Sequence, residues 1–287
     1  MQGRVCIVTG ATNGIGEVSA LELAKLGATL VIIGRNEARA KATLDKIKSA
    51  VATADVNYLI ADLSLMRDVK KVAEEFREKY SRLDVLLNNA GMIYEKRIIT
   101  AEGLEMTFAL NHMNYFYLTH LLLDMLKASG TPAQKSRIIN VASEAHRPWK
   151  LNFDDLQHEK GFFGVRVYGQ SKAMNIMHAY ELHRRLSADG AHITVNSLHP
   201  GTVRTGFGQN NRGIMKFVTQ VLGRFGLSAE QGASNSIYLA SSPKVEGVSG
   251  EYFIKFYPKK PNEFALNPEN WTSLWSYSED ILQQIGI

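Results

Sequence analysis

One cysteine, Cys6, and seven prolines stand in 287 residues. A lone thiol cannot close an internal disulfide, which excludes a disulfide framework and fits a reducing compartment. So little proline excludes proline-rich linkers, and the 23 glycines point instead to many tight turns. Long apolar runs are missing too. Stretches such as Leu30 to Ile33 fall far short of the roughly 18 residues a membrane span needs. A strand pattern begins almost at the first residue, with no signal peptide expected before it. Neither charge sign dominates: 33 Lys+Arg against 28 Asp+Glu leave a formal +5. That mild excess suits anionic ligands or a membrane surface as well as plain solubility, and no nucleic-acid partner is expected. The eight histidines and single cysteine show no metal-ligand spacing, so no metal site is expected. What is present is a globular composition, 45% hydrophobic and 21% charged, which excludes a disordered or fibrous chain.

Short β-branched runs alternate with helical patterns, the signature of βαβ units and a parallel sheet. The pattern predicts strands at Arg4–Thr9, Ala28–Ile33, Val56–Ala61, Val85–Asn88, Ser136–Ala142, Ile193–Leu198 and Gly250–Ile254. They are nearly all apolar, as strands covered by helices on both faces must be. Helices are predicted near Gly14–Leu26, Glu37–Ala50, Met66–Tyr80, Glu102–Ala128, Gly169–Ser187 and Ala229–Ser241. Right-handed crossovers then give one domain over 1–287. It is an α/β Rossmann fold, with a doubly wound, mostly parallel, seven-stranded sheet and helices on both faces. Chemistry in such sheets lies beyond the carboxyl ends of the strands.

The first strand ends in Thr9-Gly10-Ala11-Thr12-Asn13-Gly14-Ile15-Gly16 and runs into a helix. Glycines let the backbone turn tightly and approach a pyrophosphate without a Cβ clash. The helix N-terminus adds unpaired N–H groups and partial positive charge. Gly10, Asn13, Gly14, Ile15 and Gly16 are therefore candidate dinucleotide contacts. In an NAD site an acid at the tip of the second strand holds the ribose 2′-hydroxyl. Here that strand ends Gly34-Arg35-Asn36, and a guanidinium suits a 2′-phosphate. NADP is expected over NAD, with Arg35 and Asn36 at the phosphate.

Tyr168 and Lys172 stand four residues apart, on one face of a helix. A nearby cation favours the phenolate, which would bring Tyr168 toward acid–base work at neutral pH. Ser143, at the carboxyl end of the fifth strand, can hold a substrate oxygen against Tyr168. Asn88-Asn89-Ala90-Gly91 ends the fourth strand, small and amide-rich where a cofactor would pass close to the backbone.

Together these residues resemble the short-chain dehydrogenase/reductase family, over essentially the whole chain. The Thr9–Gly16 turn, Asp62, Asn88–Gly91, Asn111, Ser143, Tyr168/Lys172 and His199-Pro200-Gly201 follow that family's order. The resemblance implies that Tyr168 is the acid/base, and that Lys172 binds the nicotinamide ribose and lowers the tyrosine pKa. It implies that Ser143, with Ala145 beside it, orients the substrate oxygen, and that Asn111 holds a water in a relay to Lys172. Asp62 and Leu63 would contact adenine, and Asn89, Ala90 and Gly91 would line the adenosine side. Pro200, Gly201, Val203 and Thr205 would wrap the nicotinamide amide and phosphates. The family usually pairs through its two long helices, here 102–128 and 169–187, so a homodimer or homotetramer is implied.

The substrate is expected between three walls: 144–167, a lid at about 204–227, and a C-terminal tail at about 255–287, around a cofactor-binding core of about 1–200. The lid interleaves Phe207, Met215, Phe217, Val218 and Phe225 with Arg212, Lys216 and Arg224, an amphipathic pattern with a basic face. It suits an apolar carbonyl or alcohol such as a retinoid, steroid, fatty aldehyde or xenobiotic ketone or quinone, and its basic face suits peripheral contact with a bilayer. Within the family the resemblance is to retinol dehydrogenases and the WW-domain oxidoreductase. It rests on Asn111-His112, Ser143-Glu144-Ala145-His146, Tyr168 to Lys172, and Leu274-Trp275-Ser276-Tyr277. The expectation is a cytoplasmic NADP(H)-dependent oxidoreductase. The alternative is a regulatory or scaffold protein that binds NADP without chemistry.

Overall fold

A computed structural model describes residues 1–202 and 226–287. Eight strands form one sheet in the order β3-β2-β1-β4-β5-β6-β7-β8. They are β1 (Val5–Thr9), β2 (Thr29–Gly34), β3 (Val56–Ile60), β4 (Val85–Asn88), β5 (Ser136–Val141), β6 (Ile193–His199), β7 (Glu251–Ile254) and β8 (Tyr257–Pro258). The first seven pair in parallel. The eighth strand is an addition to the seven expected. It folds back antiparallel to β7 through a hairpin and is two residues long, ending at a proline that cannot donate to the ladder.

Alternation along the strands builds two cores, one on each face of the sheet. Ile7, Val31, Ile33, Leu86, Ile138 and Val195 point into one. Cys6, Val8, Leu30, Ile32, Leu87 and Ile139 point into the other. Cys6 is fully buried, and burial pushes its thiol up to about 12, so it is an inert core residue. Helices α1 (Gly14–Lys25), α2 (Glu37–Ala50) and α3 (Met66–Lys79) match their patterns.

The helix expected over 102–128 is instead broken into four pieces. These are α4 (Met106–Phe108), a π-helical turn at Ala109–Met113, α5 (Asn114–Leu121) and α6 (Leu123–Ser129). It starts late because the buried Glu105 carboxylate caps it, accepting from Thr107 N (2.9 Å) and Phe108 N (2.7 Å). The π turn forms where Asn111 is held from outside the helix, as described below. Helix α7 (Gly164–Ala188) starts five residues earlier than the expected Gly169, so Tyr168 sits inside it.

After α8 (Ala229–Ser241), the tail forms α9 (Glu263–Leu266) and α10 (Pro268–Gln284). Helix α10 lays its apolar face on α5 and α7. The Trp275 ring meets Phe116 edge-on at 4.9 Å, lies 5.9 Å from His178 and sits under the Arg185 guanidinium at 4.2 Å. The chain's own C-terminus thus covers Phe116 and His178 on two of the helices implied to pair between subunits. Truncating Trp275 to Ala empties this contact, and urea denaturation should show about 3–5 kcal/mol of lost stability. Among the described residues no helix is long and apolar enough to cross a membrane.

Candidate active site

The strand order reverses between β1 and β4, the switch point where ligands of such sheets bind. Around it the glycine turn is braced rather than loose. Gly10 and Gly14 have φ of +65° and +54°, which favour glycine. A Cβ on Gly10 would stand 2.8 Å from Ala90 Cα, and one on Gly16 would stand 2.5 Å from Asn89 Nδ2. Thr9 Oγ1 accepts from the backbone N–H groups of Asn89 (2.9 Å) and Ala90 (3.0 Å). Asn89 Nδ2 donates to Thr9 O at 2.8 Å and Gly10 O at 3.3 Å. Asn89 and Ala90 therefore hold the turn in shape from behind. Asn13, at the N-cap of α1, makes no side-chain cap, which leaves the first-turn N–H groups of Gly14, Ile15 and Gly16 for something else.

At the tip of β2, Arg35 is exposed, and among the described residues it forms no ion pair. Asn36 Oδ1 accepts from Arg39 N (2.9 Å), so its side chain caps α2 rather than projecting toward a ligand. Asp62 Oδ1 accepts both Ser64 N–H (3.0 Å) and Ser64 Oγ–H (2.7 Å), which closes the turn after β3. Leu63 is buried in the core.

The hydroxyl pair and the lysine come together beyond β5. Ser143 follows the strand and caps a short 3-10 turn, its Oγ accepting from Ala145 N at 3.2 Å. The Tyr168 phenol hydrogen-bonds that same serine side chain. Lys172 Nζ donates to Val141 O at 2.9 Å and lies 5.6 Å from the centroids of both the Tyr168 and Tyr115 rings. Burial pushes the Tyr168 phenol up to about 12, with the Ser143 bond opposing, and pushes the Lys172 ammonium down to about 7. Burial thus acts against the charged form of both side chains, opposite in sign to the lowering of the tyrosine that the resemblance implies.

Asn111 sits fully buried in the π turn, with Oδ1 accepting from Met92 N (2.9 Å) and Nδ2 donating to Met92 O and Ser171 Oγ (both 2.9 Å). Its amide clamps the Met92 backbone on both sides. Gly91 lies between that amide and the lysine: a Cβ there would stand 3.1 Å from Asn111 Oδ1 and 3.3 Å from Lys172 Nζ.

Pro200 and Gly201 follow β6, Gly201 with φ of +89°. Leu227 N donates to Thr202 O at 2.7 Å, so the chain returns at 227 to the point it left. Val203, Thr205 and all but the last two residues of the expected lid lie outside the described residues.

Sequence reading missed the support of the Ser143 turn. Glu144 N donates to His199 Nδ1 (3.2 Å), and Tyr252 OH donates to Glu144 Oε1 (2.8 Å). His146 bonds Ser143 O at 2.7 Å and receives Asn262 N–H from the tail at 3.2 Å. Trp149 abuts α7, where a Cβ on Gly169 would stand 2.3 Å from its Cδ1. The only signal available was Asn262 itself, an N-cap residue type ahead of a helix.

The model of the short chain dehydrogenase family matches residues 4–214. Human polyprenol dehydrogenase is 37% identical over 276 residues, covering 96% of this chain and 84% of that protein. Human retinol dehydrogenase 14 is 37% identical, covering 97% and 86%. Human WW domain-containing oxidoreductase is 36% identical, covering 98% of this chain and 69% of that one. Among solved structures, an uncharacterized protein from Mycobacterium paratuberculosis superposes with a TM-score of 0.77 at 26% identity, covering 98% and 94%. The Pseudomonas aeruginosa RhlG/NADP active-site complex superposes at 0.70 with 25% identity, covering 92% and 97%. The chain belongs to the short-chain dehydrogenase/reductase family of oxidoreductases, in its retinol dehydrogenase-like group.

Proposed function

We propose that this chain is an NADP(H)-dependent oxidoreductase. It moves a hydride between nicotinamide and the carbonyl or alcohol carbon of an apolar small molecule, with Tyr168 as acid and base. The observation that carries this reading is the Ser143–Tyr168 hydroxyl pair beside buried Lys172, at the same sheet edge as an uncapped helix N-terminus. The donors suit a dinucleotide: the first-turn N–H groups of α1 for the pyrophosphate, and the exposed Arg35 for a 2′-phosphate. When bound, NADPH supplies the hydride that reduces a carbonyl carbon.

The chain's own part is the proton and the alignment. Ser143 Oγ–H is placed to donate to a carbonyl oxygen, which would sit between it and the phenol. Tyr168, held up at about 12, is protonated at neutral pH and so is in the form that gives a proton. In reduction the phenol gives this proton, and in oxidation the phenolate takes one back. Lys172 offers a donor on the side of Gly91 for a ribose hydroxyl. The names of the relatives, retinol and polyprenol dehydrogenases, support an apolar alcohol or carbonyl substrate. A homodimer or homotetramer would have to accommodate α10 on α5 and α7. The reading places the protein in the cytoplasm, with a bilayer contact through the lid.

Consumption of NADPH against retinoids, polyprenyl and fatty aldehydes, steroids and quinones tests the reading. Turnover of at least one class supports it, and none across the panel favours a non-catalytic NADP-binding protein. Fluorescence titration should find NADPH bound more tightly than NADH. Arg35→Glu should narrow that gap about ten- to a hundredfold, the worth of one charged phosphate contact. Equal affinities in the native protein would overturn the NADP preference.

A further inference from the structure

We propose that Asn262, in the C-terminal tail, is a positioning residue that fixes the substrate-binding hydroxyl of Ser143 through the turn at 143–149. The proposal rests on the reading of Ser143 and Tyr168 given above.

Every polar group of Asn262 is engaged. The two hydrogens of its Nδ2 are shared among three carbonyls of the turn, His146 O (3.0 Å), Arg147 O (3.2 Å) and Trp149 O (3.1 Å). Its Oδ1 accepts from Ala265 N (2.9 Å) and caps α9. Its backbone N–H donates to His146 Nε2. An N–H can only donate, so Nε2 of that histidine carries the lone pair and Nδ1 carries the proton. The proton on Nδ1 then points at Ser143 O, 2.7 Å away. The histidine is therefore locked as one neutral tautomer between the tail and the backbone of Ser143. Its ring is fully buried and stands edge-on to Tyr252 at 5.3 Å, which blocks any swing.

The far end of the turn is also tied to the site. Trp149, whose carbonyl Asn262 holds, packs on Gly169, the residue after Tyr168. One residue thus spans both sides of the Ser143–Tyr168 pair: its backbone N–H reaches the serine backbone through the His146 ring, and its side-chain amide reaches the α7 turn of the tyrosine through Trp149. A capping asparagine needs only its Oδ1, and the three carbonyls on Nδ2 are beyond what capping requires. They fasten the 3-10 turn and the residues after it to the tail. An oxygen bound between two hydroxyls is sensitive to small displacements of either one.

Two variants separate capping from positioning. Asn262→Asp keeps the cap oxygen and the backbone N–H but turns a carboxylate toward the three carbonyls. Asn262→Ala removes cap and clamp together. We expect both to lower kcat/KM for the carbonyl substrate about 10- to 100-fold, the scale of a misplaced reacting group. The NADPH dissociation constant should be unchanged in each. Thermal stability should fall for Asn262→Ala more than for Asn262→Asp, so activity and stability part company. Hydrogen exchange gives a readout that needs no turnover: amides of 143–149 should exchange faster in Asn262→Asp while those of β1 and β4 keep their protection. Native protection of 143–149 in that variant overturns the proposal, whatever the enzyme's activity. Native turnover with full kcat/KM in both variants overturns it equally. Absence of turnover in the unaltered protein, with the loss of protection still present, counts against the oxidoreductase reading and not against the clamp.

Discussion

Replacing Tyr168 with Phe should stop NADPH consumption, with a loss of about 10²–10⁴-fold in kcat, the share general acid catalysis contributes. The ring stays, so packing in the enclosed site is kept. What goes is the phenolic proton, held within reach of Ser143 Oγ. The serine is not stranded, because its oxygen still accepts from Ala145 N. NADPH affinity should be unchanged, since the N–H groups of α1 and the Arg35 guanidinium are on other elements. Fluorescence titration and a turnover assay on the same sample therefore give opposite answers for one variant. If the Phe variant turns substrate over at the native rate, Tyr168 is not the acid. Ser143→Ala should fall in the same direction by a smaller factor, because the tyrosine still donates while the second donor is lost.

The parts of the fold that could be read in advance are those where burial alone decides the residue type. β1, β2 and β4 are covered on both faces, so their apolar runs are continuous and their limits are visible. The site residues at strand ends were readable for the same reason, since the sheet fixes where each strand stops. The break at 109–113 was not readable. Residues 102–128 carry ordinary helical periodicity, and the π turn comes from Asn111 bonding Met92, a contact made only once β4 and the helix are docked. Sequence assigns Asn111 to the relay and Asn36 and Asp62 to the cofactor, and it does not show that their side chains also bond Met92, Arg39 and Ser64. Asn262 had no pattern around it, because its three carbonyl partners lie 113 to 116 residues away in sequence. The tail, expected as a substrate wall, meets the Ser143 turn through Asn262 and Lys260, while α10 packs on α5 and α7.

The largest stability effect should come from Lys172. Its ammonium is lowered from the ordinary 10.5 to about 7 by burial. Each unit is about 1.4 kcal/mol, so holding this charge inside the cofactor-free protein costs on the order of 5 kcal/mol at neutral and lower pH. Lys172→Met keeps a chain of similar length without the charge. Val141 O, which the lysine occupies, still accepts from Asn175 Nδ2 at 3.2 Å, so the change leaves no buried carbonyl unpaired. The variant should therefore be more stable than the native protein by a few kcal/mol in urea, while losing turnover. The sign with pH follows from proton counting. Between about 7 and 10.5 the unfolded chain holds a proton on Lys172 that the folded chain does not, so native stability rises with pH across that window. The Met variant lacks this dependence, and the gap between the two should be widest below about pH 7 and close toward 10.5. A variant that is less stable than the native protein, or a gap that does not move with pH, would show that the lysine is held there by favourable contacts rather than against its own hydration. The opposite result, a stabilised but inactive protein, is what the proposed cofactor site predicts, since the proposed bonds to ribose hydroxyls would offset the burial of the charge.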